Sequence, residues 1–429
     1  MRKTCVTIVL LAVCSLLLHC SHKADVVTSS PVVVRTPAQL NPTEKDMVES
    51  VNRFSFKLIQ AVNSEADPNK NVFVSPLSVS YALGMLRNGA GGATKTEIDS
   101  VLELSGFPAN GANLAYQSLT TILTGADAAV TFSVANSFWS QRGFEVQSGF
   151  VEVCRKYFDA RIEEVDFADP QTATDINNWV RDNTGGLIEK MVEPPIPADV
   201  IAMLLNALYF KGGWTYPFDS ADTKPGLFRT SAGSNVTCDF MFKFMASDSL
   251  ATGEKFAHSP AAGFADSQVI GITLPYGDHG FRMTLVLPRE SISVDQLIGG
   301  LTQETWDGWM QSSRVSKPWF KMPKFEFEFG MKLNDILKSL GMNAAFDPNS
   351  ADFSNLFVNT GSCISDVRHK AFVKVDEKGT EAAAVTIVTS VLTSFGPTIF
   401  DRPFFFVIHE VESGAVLFMG KVVDPTLKG

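Results

Sequence analysis

The sequence predicts a mixed α+β fold built around one hydrophobic core. Segments with helical and with strand periodicity both occur, and 45% of the 429 residues are hydrophobic. No linker-like break is visible after about residue 45, and a globule of this length buries about three quarters of its unfolded surface. We therefore expect a single domain over residues 45–429, although length alone would allow two or three.

The first 20 residues are predicted to be an export signal. A basic start precedes apolar residues 6–18, which are too few to span a membrane. The signal ends in LLHC, which resembles a bacterial lipobox and makes Cys20 the candidate for lipidation. His19 stands where that motif usually has a small residue, so secretion without a lipid remains an alternative. Residues 21–44 are predicted to tether the domain to this exported end.

Charge and cysteine content exclude several classes of protein. The formal net charge is -10 with both signs interspersed, which argues against the basic stripe of a nucleic-acid-binding protein. Three of the six cysteines belong to the signal, and the other three are widely spaced without a CxxC pair. We interpret Cys154, Cys238 and Cys363 as buried free thiols, not as a disulfide framework or a metal site.

Two helix starts are predicted from capping residues followed by apolar residues at helical spacing. The first helix begins near Thr43, with Asp46 at the capping-box position. The second begins after Ser75, because proline at position 76 suits the first helical position.

A glycine-rich run at residues 89–92 is predicted to end the second helix. A third helix then starts at Thr94, with Glu97 as its capping-box partner. The run resembles a phosphate-binding loop, but it lacks the Gly-Lys-Ser/Thr spacing of a Walker motif. Phosphate binding is therefore not expected here.

Strands and a further helix follow in the middle of the chain. Residues 131–139 alternate as a strand, and an amphipathic helix around residues 176–180 ends at a glycine pair. Residues 201–210 are apolar except for Asn206 and predict a strand buried on both faces. A buried Asn206 side chain needs a hydrogen-bond partner. Residues 325–329 alternate Phe and Glu, which places the phenylalanines on one face of a strand.

The most distinctive stretch covers residues 374–403. No charged residue occurs between Glu381 and Asp401, and the residues between them are first small and then β-branched. This composition suits a central strand, closed by the Gly-Pro pair at residues 396–397. It also suits an exposed bait loop that later becomes a strand. Composition alone does not separate the two interpretations.

The sequences around this stretch resemble the serpin family. The similar segments occur in the family's order and are NVFVSPLSVSYALGM (71–85), LNALYFKGGW (205–214), LGMNAAFDPNSADFS (340–354), VDEKGTEAAA (375–384), the FxxPFxF pattern (400–406) and LFMGKVVDPT (417–426). The resemblance implies three β-sheets, about eight or nine helices and an exposed reactive-centre loop at about residues 377–400.

The resemblance also implies a function. Serpins of the inhibitory type are suicide substrates: a protease cleaves the loop, forms an acyl-enzyme and is trapped when the loop inserts into the main sheet. The implied hinge consists of Glu377, Gly379, Thr380, Glu381, Ala382, Ala383 and Ala384. Alternate positions from Thr380 to Val388 are small or β-branched, as insertion between two strands requires. The alternative is a non-inhibitory serpin that acts as a binding or chaperone-like protein.

The reactive bond is placed differently by two counts. Counting from Glu377 gives Thr393-Ser394, whereas counting back from Pro403 gives Leu392-Thr393. No Arg or Lys occurs between Gly379 and Asp401, so a trypsin-like pocket has nothing to bind. The expected partners are elastase-, chymotrypsin- or subtilisin-like serine proteases, with papain-like cysteine proteases as a further possibility. The inhibitor itself is expected to be a monomer.

The resemblance assigns two supporting clusters. One lies under the main sheet and contains Ser75, Ser78 and Asn206, with His369 as the partner of Asn206. The other lies at the top of the sheet, where Lys324 pairs with Glu377 near Trp214.

Catalytic motifs are missing from the sequence. It has no GxSxG, and His409-Glu410 lacks the second histidine of HExxH. Glu326 and Glu328 share a strand face, which we interpret as a solvated surface and not as a glycosidase pair. An enzyme, a cofactor and a metal are therefore not expected.

Overall fold

The computed structural model describes residues 40–428 except for residues 109, 199, 245–261, 316–318, 359–362 and 381–396. Within these limits the helices are α1 (Pro42–Glu65), α2 (Pro76–Gly89), α3 (Gly92–Val101), α4 (Gly111–Gly125), α5 (Ser148–Phe158), α6 (Pro170–Asn183), α7 (Val294–Gly299), α8 (Gln303–Ser312) and α9 (Asn334–Ser339). None of these helices combines the length and the apolar character needed to cross a membrane.

The strands alternate with the helices along the chain. They are β1 (Val72–Val74), β2 (Val130–Gln141), β3 (Arg161–Val165), β4 (Ala202–Gly213), β5 (Lys224–Arg229), β6 (Asn235–Phe244), β7 (Ala262–Ala265), β8 (Val269–Tyr276), β9 (Phe281–Pro288), β10 (Arg314–Val315), β11 (Trp319–Pro323), β12 (Phe325–Lys332), β13 (Arg368–Val375), β14 (Gly379–Thr380), β15 (Thr398–Ile399), β16 (Phe404–Glu410) and β17 (Val416–Val422). The α+β class predicted from the sequence is confirmed.

The cap of helix α1 lies two residues before the predicted cap, Thr43. Asn41 is its cap: the side chain accepts the Glu44 amide at 3.0 Å, and the Glu44 carboxylate accepts the Asn41 amide at 2.8 Å. The predicted box of Thr43 and Asp46 is wrong, because Asn41 is followed by proline at the first helical position and by glutamate at the third. The prediction for α2 is confirmed, since the Ser75 side chain accepts the Ser78 amide at 3.2 Å.

The predicted start of the third helix at Thr94 is also wrong. Helix α3 begins at Gly92, and no side-chain cap is formed at Gly91. The Glu97 carboxylate instead accepts the amides of Asn343 and Ala344, both at 2.7 Å. The Thr94 hydroxyl accepts the amide of residue 352 at 2.9 Å. The two predicted capping residues are therefore used in contacts with distant segments, which local spacing does not reveal.

The largest sheet has seven strands in the order β1-β17-β16-β9-β8-β7-β10, and every neighbouring pair is antiparallel. All residues of β16 and β17 are buried. A second sheet has the order β15-β11-β6-β5, with β15 parallel to β11. One main hydrophobic cluster runs through these elements from Met47 to Val423.

The remaining strands form two further ladders. One has the order β14-β4-β2-β3, and the other is the pair β12-β13. The described residues thus form four hydrogen-bonded sheets, not three, because β4 and β13 are not paired with each other.

Strand β4 lies between two hydrophobic layers, as predicted. Its odd-numbered residues Leu205 and Ala207 pack in a second cluster with Ile176 and Trp179 of α6, while Phe210 belongs to the main core. Many of its residues are nevertheless only half-buried. The physical reason is its open edge toward β13, where the described part of the chain places no strand beyond β14.

Candidate functional site

The chain leaves β13 through a tight turn. The Asp376 amide donates to the Gly379 carbonyl at 3.1 Å, and the Gly379 amide donates to the Asp376 carbonyl at 3.3 Å. The Asp376 carboxylate also accepts the Lys378 amide at 2.9 Å. The turn therefore reverses the chain and directs β14 back along β4.

Glu377 holds this turn against the rest of the molecule. Its carboxylate lies 3.1 Å from the Lys324 Nζ atom and accepts the Thr223 hydroxyl at 2.8 Å. Its carbonyl accepts the Phe218 amide at 2.9 Å. Burial acts to raise the pKa of Glu377, but hydrogen bonds from its own backbone, Thr223 and Lys324 outweigh burial and lower that pKa. The ion pair of Lys324 with Glu377 that the resemblance implied is thus formed.

Gly379 allows the loop backbone to approach β4 closely. Its φ angle is +139°, and a Cβ atom at this position would lie 2.3 Å from the Gly212 carbonyl oxygen. Gly379 and Thr380 pair antiparallel with Gly213 and Gly212. A side chain at position 379 would therefore push β14 off β4.

Thr380 and its neighbours form a buried contact at the top of β4. The Thr380 hydroxyl shares a hydrogen bond of 2.9 Å with the Tyr276 hydroxyl. The Tyr276 ring stacks on Trp214 with 4.4 Å between centroids, and the Trp214 indole N–H donates to the Asp376 carbonyl at 2.9 Å. Sequence reasoning identified Trp214 and Thr380 but missed Tyr276, because it lies at the end of β8 and no local pattern connects it with the loop.

Beyond Thr380 the edges of β4 and β13 face each other across an opening that we call the interstrand cleft. Its walls are residues 205–210 of β4 and 369–373 of β13. Cavities of about 40, 180 and 50 Å³ lie along it. Phe73, Ile408 and Phe418 of the core line its inner side, so a strand entering here would have a hydrophobic surface beneath it.

Asn206 lies in the wall of the interstrand cleft with one hydrogen-bonding atom unused. Its Nδ2 atom donates to the Asn136 Oδ1 atom at 2.7 Å. The Asn206 Oδ1 atom is buried and has no hydrogen-bond partner among the described residues. Ser78 lies behind it, with its hydroxyl 3.5 Å from the Asn206 carbonyl. A buried acceptor without a partner lowers the stability of the folded state, and a hydrogen-bond donor that came within reach would remove this penalty.

The structure does not form the predicted contact between Asn206 and His369. The His369 Nε2 atom instead accepts the Ser75 backbone amide at 3.1 Å, and the Ser75 hydroxyl donates to the Leu417 carbonyl at 2.9 Å. The partner was wrong because His369 lies on the opposite wall of the cleft and reaches the start of α2 beneath it. Burial lowers the pKa of His369 to about 4, so its ring is neutral at pH 7.

The other predicted residues divide into two groups. The first group lies outside the described residues and consists of Glu381, Ala382, Ala383, Ala384, Leu392, Thr393, Ser394, the signal and its lipidation candidate Cys20. The three predicted free thiols are free, but only Cys154 is buried, whereas Cys238 and Cys363 are half-buried. The half-buried positions correct the prediction for these two. Sulfur tolerates such boundary positions, since the thiol is only weakly polar.

The arrangement of turn, hinge and cleft can be compared with known proteins. The family model described as Serpin (serine protease inhibitor) matches residues 49–425. The chain belongs to the serpin family. An uncharacterized serpin-like protein of Thermococcus kodakarensis is 32% identical and aligns over 94% of this serpin and 92% of its own length. Iripin-2 of Ixodes ricinus is 34% identical, over 88% of this serpin and 94% of its own length.

Solved serpin structures share the fold. Native tengpin, a thermophilic serpin, superposes with a TM-score of 0.78 at 28% identity, covering 91% of this serpin and 96% of that chain. Human thyroxine-binding globulin in complex with thyroxine also gives a TM-score of 0.78, at 26% identity, over 90% of this serpin and 100% of that chain. Serpins are protease inhibitors in general and not catalysts, but the second structure belongs to a thyroxine-binding protein.

Proposed function

We propose that this serpin is a suicide-substrate inhibitor of serine proteases with elastase-, chymotrypsin- or subtilisin-like specificity. The observation that carries the proposal is β14: Gly379 and Thr380 are already paired with β4 at the mouth of the interstrand cleft. A strand that continues β14 would lie between β4 and β13. The hinge therefore only has to continue in the direction of β14 to form a strand between β4 and β13, and no new turn is needed.

If an inserted strand kept the register of β14, it would have one defined position along β4. Gly379 faces Gly213 and Thr380 faces Gly212, so each further step along the loop moves one residue back along β4. In this register Thr386 would face Asn206. Residues directly opposite each other in an antiparallel pair share a face. The Thr386 hydroxyl would then be the donor that the Asn206 Oδ1 atom lacks among the described residues.

The chemistry begins as ordinary proteolysis. The protease's serine oxygen adds to the carbonyl carbon of the reactive bond, the C–N bond breaks, and the amine leaves with the proton that the protease's general base has taken from the serine. The remaining ester links the protease to the residue before the cut. Release of the loop's C-terminal part then frees its N-terminal part to enter the cleft before water hydrolyses the ester.

Hydrogen bonding supplies the driving force. A new strand of about a dozen residues between two neighbours forms two ladders, which at ~1 kcal/mol net per bond adds on the order of 10–20 kcal/mol. This gain is comparable with the whole stability of a typical domain. Insertion that carries the protease along would therefore be effectively irreversible.

The trapping experiment tests this function directly. Residues 21–429 are incubated with pancreatic elastase, chymotrypsin, subtilisin and trypsin, and boiled samples are analysed by denaturing gel and mass spectrometry. We expect a covalent complex with the first three enzymes and a released peptide that starts at Thr393 or Ser394. Loop cleavage without a complex for any enzyme would contradict inhibition and favour a binding function, which the similarity to thyroxine-binding globulin makes the second candidate.

We also propose that the protein is an exported bacterial lipoprotein. The support is the LLHC sequence that ends at Cys20 and the predicted tether after it. Expression of the full chain in bacteria with labelled fatty acid should label the wild type, whereas Cys20→Ser should remain unlabelled. An unlabelled but secreted wild type would show that the signal is cleaved without lipidation.

A further inference from the structure

Two asparagine side chains connect the end of α5 with the interstrand cleft through hydrogen bonds. Asn136 of β2 lies directly opposite Asn206 of β4 in the antiparallel ladder. The Asn136 Nδ2 atom donates to the Phe158 carbonyl at 2.8 Å, and the Asn136 Oδ1 atom accepts from the Asn206 Nδ2 atom at 2.7 Å. Nothing in the local sequence singles out Asn136, since it lies within an ordinary alternating strand.

The Phe158 carbonyl is the fixed end of this chain of hydrogen bonds. Phe158 is the last residue of α5, and Asp159 follows it in the left-handed conformation with a φ angle of +48°. Carbonyl groups in the last turn of a helix have no partner within the helix, so they accept from other groups. The buried Phe158 ring lies 6.5 Å from the Tyr81 ring and 5.6 Å from the Tyr116 ring, measured between centroids. These core contacts hold the carbonyl in place.

The Phe158 carbonyl determines the orientation of both amides, because a carbonyl oxygen only accepts. Asn136 has to turn its NH₂ group toward Phe158, which leaves its oxygen for Asn206. Asn206 then has to turn its own NH₂ group toward that oxygen. Turning either amide over would bring two oxygens together in a buried site, which is unfavourable. The Asn206 Oδ1 atom is left as a buried acceptor without a partner among the described residues.

This acceptor belongs to the lining of the interstrand cleft. A strand that entered the cleft in the register of β14 would place one side chain directly opposite Asn206. A serine or threonine hydroxyl at that position can donate to the Oδ1 atom. An aliphatic side chain of the same shape leaves the acceptor unpaired, at a cost in free energy.

We infer that Asn136 is a positioning residue: it turns the Asn206 acceptor into the interstrand cleft and thereby selects strands that carry a hydroxyl group at the facing position. The inference rests on the proposed insertion of a strand and adds a residue that this strand does not touch. Neighbouring strands lie about 4.8 Å apart, so Asn136 on β2 and a side chain beyond β4 are separated by about 10 Å. Asn136 therefore acts only through Asn206.

The probe is a labelled synthetic peptide of residues 381–390, in which Thr386 is either kept or replaced by valine. The uncleaved protein is titrated with each peptide, and fluorescence anisotropy gives the two dissociation constants. The wild type should bind the threonine peptide about fivefold more tightly, the effect of one hydrogen bond. Asn136→Leu should bind both peptides equally, because the Asn206 amide is then free to turn.

Asn52→Leu is the matched control. Asn52 and Asn136 are each 4% exposed. The Asn52 amide also uses both of its ends, since it donates to the Gly414 carbonyl and accepts the Val416 amide, both at 2.9 Å. This variant loses a comparable pair of hydrogen bonds at the hairpin between β16 and β17. It should therefore keep the fivefold preference for the threonine peptide.

Two further substitutions separate positioning from folding. Asn136→Ala removes the amide without adding bulk and should also lose the preference, so a folding failure of Asn136→Leu leaves the test intact. Asn136→Asp keeps an oxygen that accepts from Asn206 and should retain most of the preference. Thermal melting of each variant identifies the folded ones.

The outcomes distinguish this inference from the proposed function. A wild type that binds neither peptide, or binds both equally, would overturn the role of Asn136. An undiminished preference in folded Asn136→Leu or Asn136→Ala would do the same, as would a loss of preference in Asn52→Leu. Protease trapping is measured separately: trapping without a peptide preference refutes only the role of Asn136, and a preference without trapping refutes only the inhibitory function.

Discussion

The hydroxyl groups of Thr380 and Tyr276 share a buried hydrogen bond of 2.9 Å. Burial raises the pKa of Tyr276, so its hydroxyl stays protonated over the whole physiological range. The pair fixes the hinge residue Thr380 at the top of the interstrand cleft. This hydroxyl–hydroxyl contact therefore acts together with the ion pair of Glu377 to hold the loop before cleavage.

Removing this contact should loosen the hinge. Tyr276→Phe and Thr380→Val each lose one hydroxyl, and a double-mutant cycle should give a coupling free energy of about 1 kcal/mol. Chemical denaturation measures that free energy. Tyr81→Phe is the control, because the Tyr81 hydroxyl also shares a hydrogen bond with a threonine, the half-buried Thr120, at 2.7 Å. Only the Tyr276 variant should also change the rate of inhibition, and an equal effect of both variants would contradict a role in the hinge.

His369 makes stability depend on pH. Its pKa is about 4 in the folded state, below the ordinary value of 6.5. The unfolded chain therefore binds more protons as the pH falls from 6.5 toward 4, and the free energy of unfolding decreases by up to 1.36 kcal/mol per pH unit. His369→Gln should reduce this slope in denaturation curves measured between pH 7.5 and pH 4.5.

His409 provides a comparison for this measurement. Burial, followed by the nearby Arg282 charge, lowers the pKa of His409 to about 3, so it contributes in the same direction. His409→Gln alone should leave the His369 contribution in place, and the double variant should lose most of the dependence. An unchanged slope in His369→Gln would show that its neutral form is not required for stability.

At the scale of elements, the two residues of β14 indicate which side chains of the loop would face the core if the strand continued. Thr380 is buried on the core side of β14. In a strand that continued β14 along β4, residue 381 would lie on the opposite side. On the proposed mechanism, Thr380 is the first residue of the face that would enter the interstrand cleft. On the other face, residue 381 would lie opposite Lys211 of β4, which is only half-buried.

This difference predicts opposite outcomes for two arginine substitutions. Thr380→Arg places a charge on the entering face, where burial without a partner costs several kcal/mol. Insertion should then be slower than hydrolysis of the acyl-enzyme, so Thr380→Arg is cleaved without forming a covalent complex. Glu381→Arg should still trap proteases with a stoichiometry close to that of the wild type. Denaturing gels and titration of residual activity give both results, and trapping by Thr380→Arg would contradict the insertion mechanism.

At the scale of the whole molecule, the seven-stranded sheet and its helices form a complete core, whereas β4 and β13 remain separate. The described fold therefore leaves hydrogen-bonding edges unused that one more strand would satisfy. Cleavage in the loop should release that strand.

Calorimetry of the native and loop-cleaved protein tests this expectation. The cleaved form should melt at a clearly higher temperature, because insertion adds on the order of 10 kcal/mol of hydrogen bonding. Thr386→Val, which keeps the shape and removes the donor for Asn206, should lower the stability of the cleaved form by about 1 kcal/mol and leave the native form unchanged. Equal melting temperatures of native and cleaved wild type would contradict insertion.

Much of this fold was predictable where the signal is local. The start of α2 follows from Ser75 and the proline after it, and β2 follows from alternation. The start of α3 was not predictable, because Glu97 caps a distant segment. The family resemblance predicted the ion pair of Lys324 with Glu377 correctly. It gave the wrong partner for His369, because that partner depends on how far apart β4 and β13 lie.

The sequence by itself determined the α+β class and the family, and it predicts small residues on the inward face of the hinge, since these features depend on residue type and spacing along the chain. Only the tertiary structure decided that β14 is already paired with β4, that Tyr276 holds Thr380, and that Asn206 faces an open cleft. Those contacts join residues more than a hundred positions apart. Their distances depend on packing of the whole core, and no local periodicity encodes that packing.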